Sequence, residues 1–211
     1  MLPHENAATS TSGESPNFVT CAFSKRTTLL LILIASILCP LAIYLFGRIA
    51  FQLHPRYTIP AIVIGPGQGK AVLLWVGGVI LAITLLTFTL LALHEYCHGL
   101  AFRWAGAKPR YGAKMLHKIV PIFYAAAPGF RMPCRKFRTV LLAPTIAVNL
   151  IGILMMWPPT LLRYLMVFPL GIHLAGCLGD WWMLMVLRGT PGDTLVEDTP
   201  AGFRYEQNSR R

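Results

Sequence analysis

Between Glu14 and Asp193 the chain holds only two carboxylates, Glu95 and Asp180. Such a stretch cannot make an ordinary soluble surface, because globular domains are about one-quarter charged and this chain is 13% charged. With 55% hydrophobic residues and a mean hydropathy of +0.57, it reads as an all-α polytopic membrane protein. A charged side chain in a bilayer costs a few kcal/mol or more, so an acid retained there faces a partner, a cavity or an ion.

Thr27 to Phe46 is close to the ~20 apolar residues a spanning helix needs. It is longer, and begins later, than the ~7–15-residue apolar core of a signal peptide. Residues 1–26 are expected to be a disordered cytoplasmic tail without apolar periodicity. Gly47 to Lys70, with His54-Pro55-Arg56, Pro60 and Gly65-Pro66-Gly67, reads as an outer loop. Ala71 to Ala107 has no proline and exceeds one hydrocarbon thickness, so the second helix should continue past the membrane. Val140 to Trp157 and Leu161 to Leu187 make spans three and four, and Trp157-Pro158-Pro159 a tight outer turn between them. The expected domain is thus a four-helix transmembrane unit over residues 27–188, followed by a polar cytoplasmic tail at 189–211.

Lys and Arg cluster at 25–26, 103–138 and 188–211, against only Arg48, Arg56, Lys70 and Arg163 on the opposite side. The positive-inside rule then makes both termini cytoplasmic, in an inner or plasma membrane. The net charge of +11 is accounted for by these flanks and not by a nucleic-acid-binding face. The partners expected are the lipid bilayer and a membrane-protein or peptide substrate; no pattern sets an oligomeric state. Five scattered cysteines without a C-x-x-C pair give no disulfide framework. Trp157, Trp181 and Trp182 read as interfacial anchors.

Glu95 sits in His94-Glu95-Tyr96-Cys97-His98. Residues four apart on a helix share a face, so His94 and His98 present two imidazoles to one ion, with Glu95 beside them as the candidate general base. Zinc takes neutral imidazole, lowers the pKa of its water towards ~7, and needs a third protein ligand to leave one position open. Depth selects that ligand. At ~1.5 Å per residue, His94 lies about 35 Å below the outer start of span two and Asp180 about 29 Å below that of span four. Both fall near the cytoplasmic edge of a ~30 Å core. The simpler alternatives are a chance motif whose imidazoles hydrogen-bond within the bundle, and an Asp180 paired with Arg188. Cys97, three residues from His94, reads as a packing residue.

With these residues the chain resembles the site-2-protease class of intramembrane metallopeptidases, which pair an H-E-x-x-H on one transmembrane helix with a distant Asp on a later one. It is most similar to the putative zincin peptidase family of small four-span membrane proteins. The resemblance rests on Leu93 to Gly99, Ala143 to Asn149, His173 to Asp180 and Glu197 to Phe203. It departs at Gly179-Asp180-Trp181, where the class has Leu-Asp-Gly. The resemblance implies a membrane-embedded zinc metallopeptidase that cuts membrane proteins near the cytoplasmic leaflet. The rival is a proteolytically silent relative acting as a binding or chaperone factor; an intact Glu95 favours the enzyme.

Two further features remain open in the sequence. Asn149 and His173 fall at similar depth, and either hydrogen-bond each other between helices or contact a substrate carbonyl or oxyanion. Tyr111 to Phe130, broken by Pro121, Pro128 and Gly129, is either an interfacial β-hairpin beside the zinc or an amphipathic connector. A hairpin could hold an extended substrate by strand addition.

Overall fold

The computed structural model describes residues 18–56, 67–116, 120–199 and 202–206. Pro60 and Gly65-Pro66 of the expected outer loop, and residues 1–17 of the expected tail, lie outside them.

Helix α1 spans Lys25–Leu53. Ser24 caps it, its side chain accepting the Thr27 N–H at 3.0 Å, which satisfies one of the orphan amides of a helix start. Helix α2 runs over Gly69–Ala105, 37 residues, so the proline-free run is one continuous helix. It stops at Gly106, whose φ of 99° is the left-handed cap that glycine adopts without strain. Helix α3 spans Cys134–Met155. The fourth span is two pieces, α4 (Leu161–Gly176) and α5 (Leu178–Leu187). At the joint, the Cys177 N–H is shared between the His173 and Leu174 carbonyls at 3.1 and 3.3 Å. The four segments 25–53, 69–105, 134–155 and 161–187 are long and apolar enough to cross a membrane.

Close packing sets the helix contacts. A Cβ at Gly152 would lie 2.3 Å from Leu170, and one at Gly171 2.4 Å from Ile43, so α3 and α1 each approach α4 through a missing side chain. Arg163, counted in the sequence as an outer-side charge, is fully buried. Its Nε and Nη2 donate to the Met156 and Trp157 carbonyls at 2.8 and 2.9 Å, closing the C-terminal end of α3.

The all-α expectation is corrected by two sheets. Strands β1 (Arg110–Leu116) and β2 (Val120–Ala126) pair antiparallel between α2 and α3, so of the two alternatives for this segment the strand pair forms. Its seat on α2 is Gly99, where an added Cβ would stand 1.8 Å from the Tyr111 hydroxyl. The second sheet has four strands: β3 (Phe18–Ala22), β4 (Arg131–Pro133), β5 (Leu195–Thr199) and β6 (Gly202–Glu206). All its pairings are antiparallel, β3 to β6, β6 to β5 and β5 to β4. The segment before α1, read as structureless, therefore ends in a strand, and the polar C-terminal tail contributes two paired strands, Leu195–Thr199 and Gly202–Glu206.

Those strands form because their apolar side chains have a core to enter. Val196 and Phe203 are fully buried against Phe102, Phe137, Val140 and Leu187, at the end of α2, the start of α3 and the end of α5. Gly202 has φ 146°, and a Cβ there would meet the Cys21 carbonyl at 2.2 Å, so only glycine permits that pairing. Buried Glu197 binds Arg204 through both carboxylate oxygens at 2.9 and 2.8 Å and takes the Gly129 N–H at 3.2 Å. One sheet thus collects the start of α1, the start of α3 and the end of α5 on one side of the helices.

Candidate metal centre

His94 and His98 lie on the last third of α2, and Asp180 in the first turn of α5. The two Nε2 atoms are 3.1 Å apart. Asp180 Oδ2 is 3.3 Å from the first and 3.5 Å from the second. The three expected ligand atoms therefore form a nearly equilateral triangle. Ligands bound tetrahedrally at about 2.0–2.1 Å stand roughly 3.3 Å from one another, so one small ion fits this trio. Asp180 Oδ2 is also buried without a hydrogen-bond partner, an arrangement that costs free energy unless a cation or donor meets it.

Both imidazoles are oriented from behind. His98 Nδ1 is 3.0 Å from the Val140 carbonyl oxygen. A carbonyl only accepts, so Nδ1 carries the proton and Nε2 keeps its lone pair for the triangle. His94 Nδ1 is 3.1 Å from His173 Nε2, and His173 is 1% exposed. Cys177 Sγ lies 3.9 Å from that His94 nitrogen and 3.8 Å from His173 Nε2. His94, His173 and Cys177 are thus close enough to form a second cluster, sharing His94 with the first.

Of the two roles left open for Asn149 and His173, a hydrogen bond between them does not form. Asn149 Nδ2 donates to the Thr145 carbonyl one turn back at 2.7 Å, while His173 turns to His94. Cys97 packs in the apolar core beside Val148 and Leu170, and all five cysteines are free thiols. Trp181 joins α5 to α3, its Nε1 donating to Thr145 Oγ1 at 3.1 Å.

Glu95 Oε2 accepts the Ala125 N–H at 2.7 Å. Ala125 pairs in register with Tyr111, yet its amide points away from β1, so β2 offers an open edge towards the site. Two residues on, the backbone amide of Ala127 lies near the carboxyl of Asp198 in β5, as does that of Thr199. Burial pushes the Asp198 carboxyl up to about 7, Glu95 adding to this while the two amides and His98 oppose it. Asp198 shares a cavity with His98 and Asp180. Sequence reasoning gave Asp198 no role; the only signal was its place in the Glu197 to Phe203 run.

Residues 87–195, from the middle of α2 to the start of β5, match the family described as putative zincin peptidase. The chain belongs to that family. No curated protein and no solved structure matches it. Membership implies a bound metal, zinc by the family's description, and the donor set of two imidazoles and one carboxylate suits zinc. Asp198 lies beyond the matched residues.

Proposed function

We propose that the protein is a membrane-embedded zinc metallopeptidase that hydrolyses peptide bonds of membrane proteins near the cytoplasmic leaflet, with both termini cytoplasmic. The observation that carries this reading is the triangle of His94 Nε2, His98 Nε2 and Asp180 Oδ2 beside Glu95, three side chains contributed by two spans. When bound, zinc supplies a Lewis acid for the scissile carbonyl and acidifies a water. Glu95 would serve as the base, taking a proton from the attacking water and passing it to the leaving amine. The Val140 carbonyl holds His98 with its proton on Nδ1 and its Nε2 lone pair free, and His94 is held by donating its Nδ1–H to His173.

The open edge of β2 supports an extended substrate, since pairing there would bring its peptide bond alongside Glu95. Ala125 would exchange Glu95 for a substrate carbonyl, freeing the carboxylate to act as base. Collection of both described chain ends in one sheet supports termini on a common side.

Glu95→Gln tests the enzyme against the silent binder. It preserves size while removing basicity, so zinc content should stay near one equivalent while hydrolysis falls by a factor of roughly 100 or more. Membrane proteomics of cells expressing wild type and variant should reveal uncut proteins that accumulate with the variant. Equal zinc content with identical fragment patterns would refute the peptidase reading.

A further inference from the structure

The site opens onto a small cavity that the proposed hydrolysis does not yet use. Its volume is about 60 Å³. His98 and Asp180 of the metal triangle line it, as does Ala125, whose amide holds Glu95. Phe137, Leu141 and Met183 contribute apolar wall, and Asp198 contributes a carboxyl. A chamber that shares two walls with the metal ligands and one with the strand edge is where a side chain next to the scissile bond would go.

Its size limits the occupant. One water needs about 10–15 Å³ of such volume, so 60 Å³ takes about four to six water-sized groups. The side chains of valine and threonine have three non-hydrogen atoms and that of leucine has four; a benzyl group has seven. Beyond the two metal-triangle side chains, His98 and Asp180, the wall is apolar except for Asp198.

We propose that this cavity is the subsite for the substrate side chain adjacent to the scissile bond, that it admits small residues from alanine to valine and threonine and rejects aromatic ones, and that Asp198 favours threonine over valine by accepting its hydroxyl. The proposal rests on the metallopeptidase reading and assigns its substrate class. It also gives the C-terminal strand pair a place in the active site, since Asp198 arrives on β5.

The test uses full-length protein loaded with one equivalent of zinc, and binding in place of turnover. The probes are peptide hydroxamates identical except for the side chain next to the zinc-chelating group: glycine, alanine, valine, threonine, leucine and phenylalanine. Affinity should rise about tenfold or more from glycine to valine, the scale on which apolar pockets resolve single methylenes, and fall at least tenfold from valine to phenylalanine. Met183→Ala should move the optimum to leucine or phenylalanine. Leu141→Phe, which fills the chamber, should weaken valine while leaving glycine unchanged, and zinc content reports whether each variant retains its fold. Asp198→Ala should abolish the threonine preference. A flat series with tight glycine binding overturns the subsite and leaves the zinc site standing. Failure of every hydroxamate to bind zinc-loaded protein overturns the metallopeptidase reading and the subsite with it.

Discussion

Replacing His173 by leucine should weaken zinc binding by one to two orders of magnitude without unfolding the protein. His173 is fully buried, and its Nε2 is 3.1 Å from His94 Nδ1. Leucine has a comparable volume, so the core around α4 loses little packing. What it removes is the acceptor for the Nδ1–H of His94. That donor, left in an apolar site, costs about 1–3 kcal/mol, which is a factor of roughly 5 to 150 in binding. Loss of such outer partners of ligating histidines costs about 10–100-fold in metal affinity, so the two figures agree. The assay is competition against a chromophoric chelator in detergent solution. His173→Gln, whose amide oxygen can accept the same proton, should recover most of the loss. Asn149→Ala should change affinity little, because Asn149 Nδ2 is committed to the Thr145 carbonyl. Zinc affinity in His173→Leu within twofold of wild type would refute the orienting role.

Asp198 should make the metal-free protein less stable as pH rises. Its folded pKa of about 7 exceeds the ordinary 3.8, so the folded state holds a proton that the unfolded state has lost. The stabilisation is present below about pH 4 and is lost as pH rises to 7, on the order of 4 kcal/mol in total. Melting curves of Asp198→Asn between pH 4 and 8 should lack this decline; an unchanged slope would refute it. In Gly99→Ala the added methyl collides with Tyr111 and should lift the β1–β2 pair off α2. Zinc content should persist while hydrolysis falls at least tenfold, and Tyr111→Ala in the same chain should relieve the collision. For topology, single cysteines on a cysteine-free background should be labelled in intact cells at Gln68 and protected at Ser12, and the opposite pattern would invert the orientation.

The spans, the H-E-x-x-H face and the partnership of Asp180 with it were legible in the sequence, because each depends on local regularities. Apolar run length predicts a helix, a four-residue spacing predicts a shared face, and a fixed rise per residue turns sequence position into depth. His94 and Asp180 meet because those regularities hold along two nearly continuous helices. The β1–β2 pair was legible only as an alternative, since proline and glycine interrupt a strand and a connector alike. Tertiary structure decided the rest. Phe18 to Ala22 and Gly202 to Glu206 are too short to signal a sheet, and become strands only when they meet over the core of Phe102, Phe137 and Val140. The partner of His173 turned on side-chain direction, which similar depth does not specify. Asp198 reaches the metal pocket, and Ala125 reaches Glu95, through pairings between distant segments. Such pairings depend on how the chain closes in space, and no local period in the sequence encodes them.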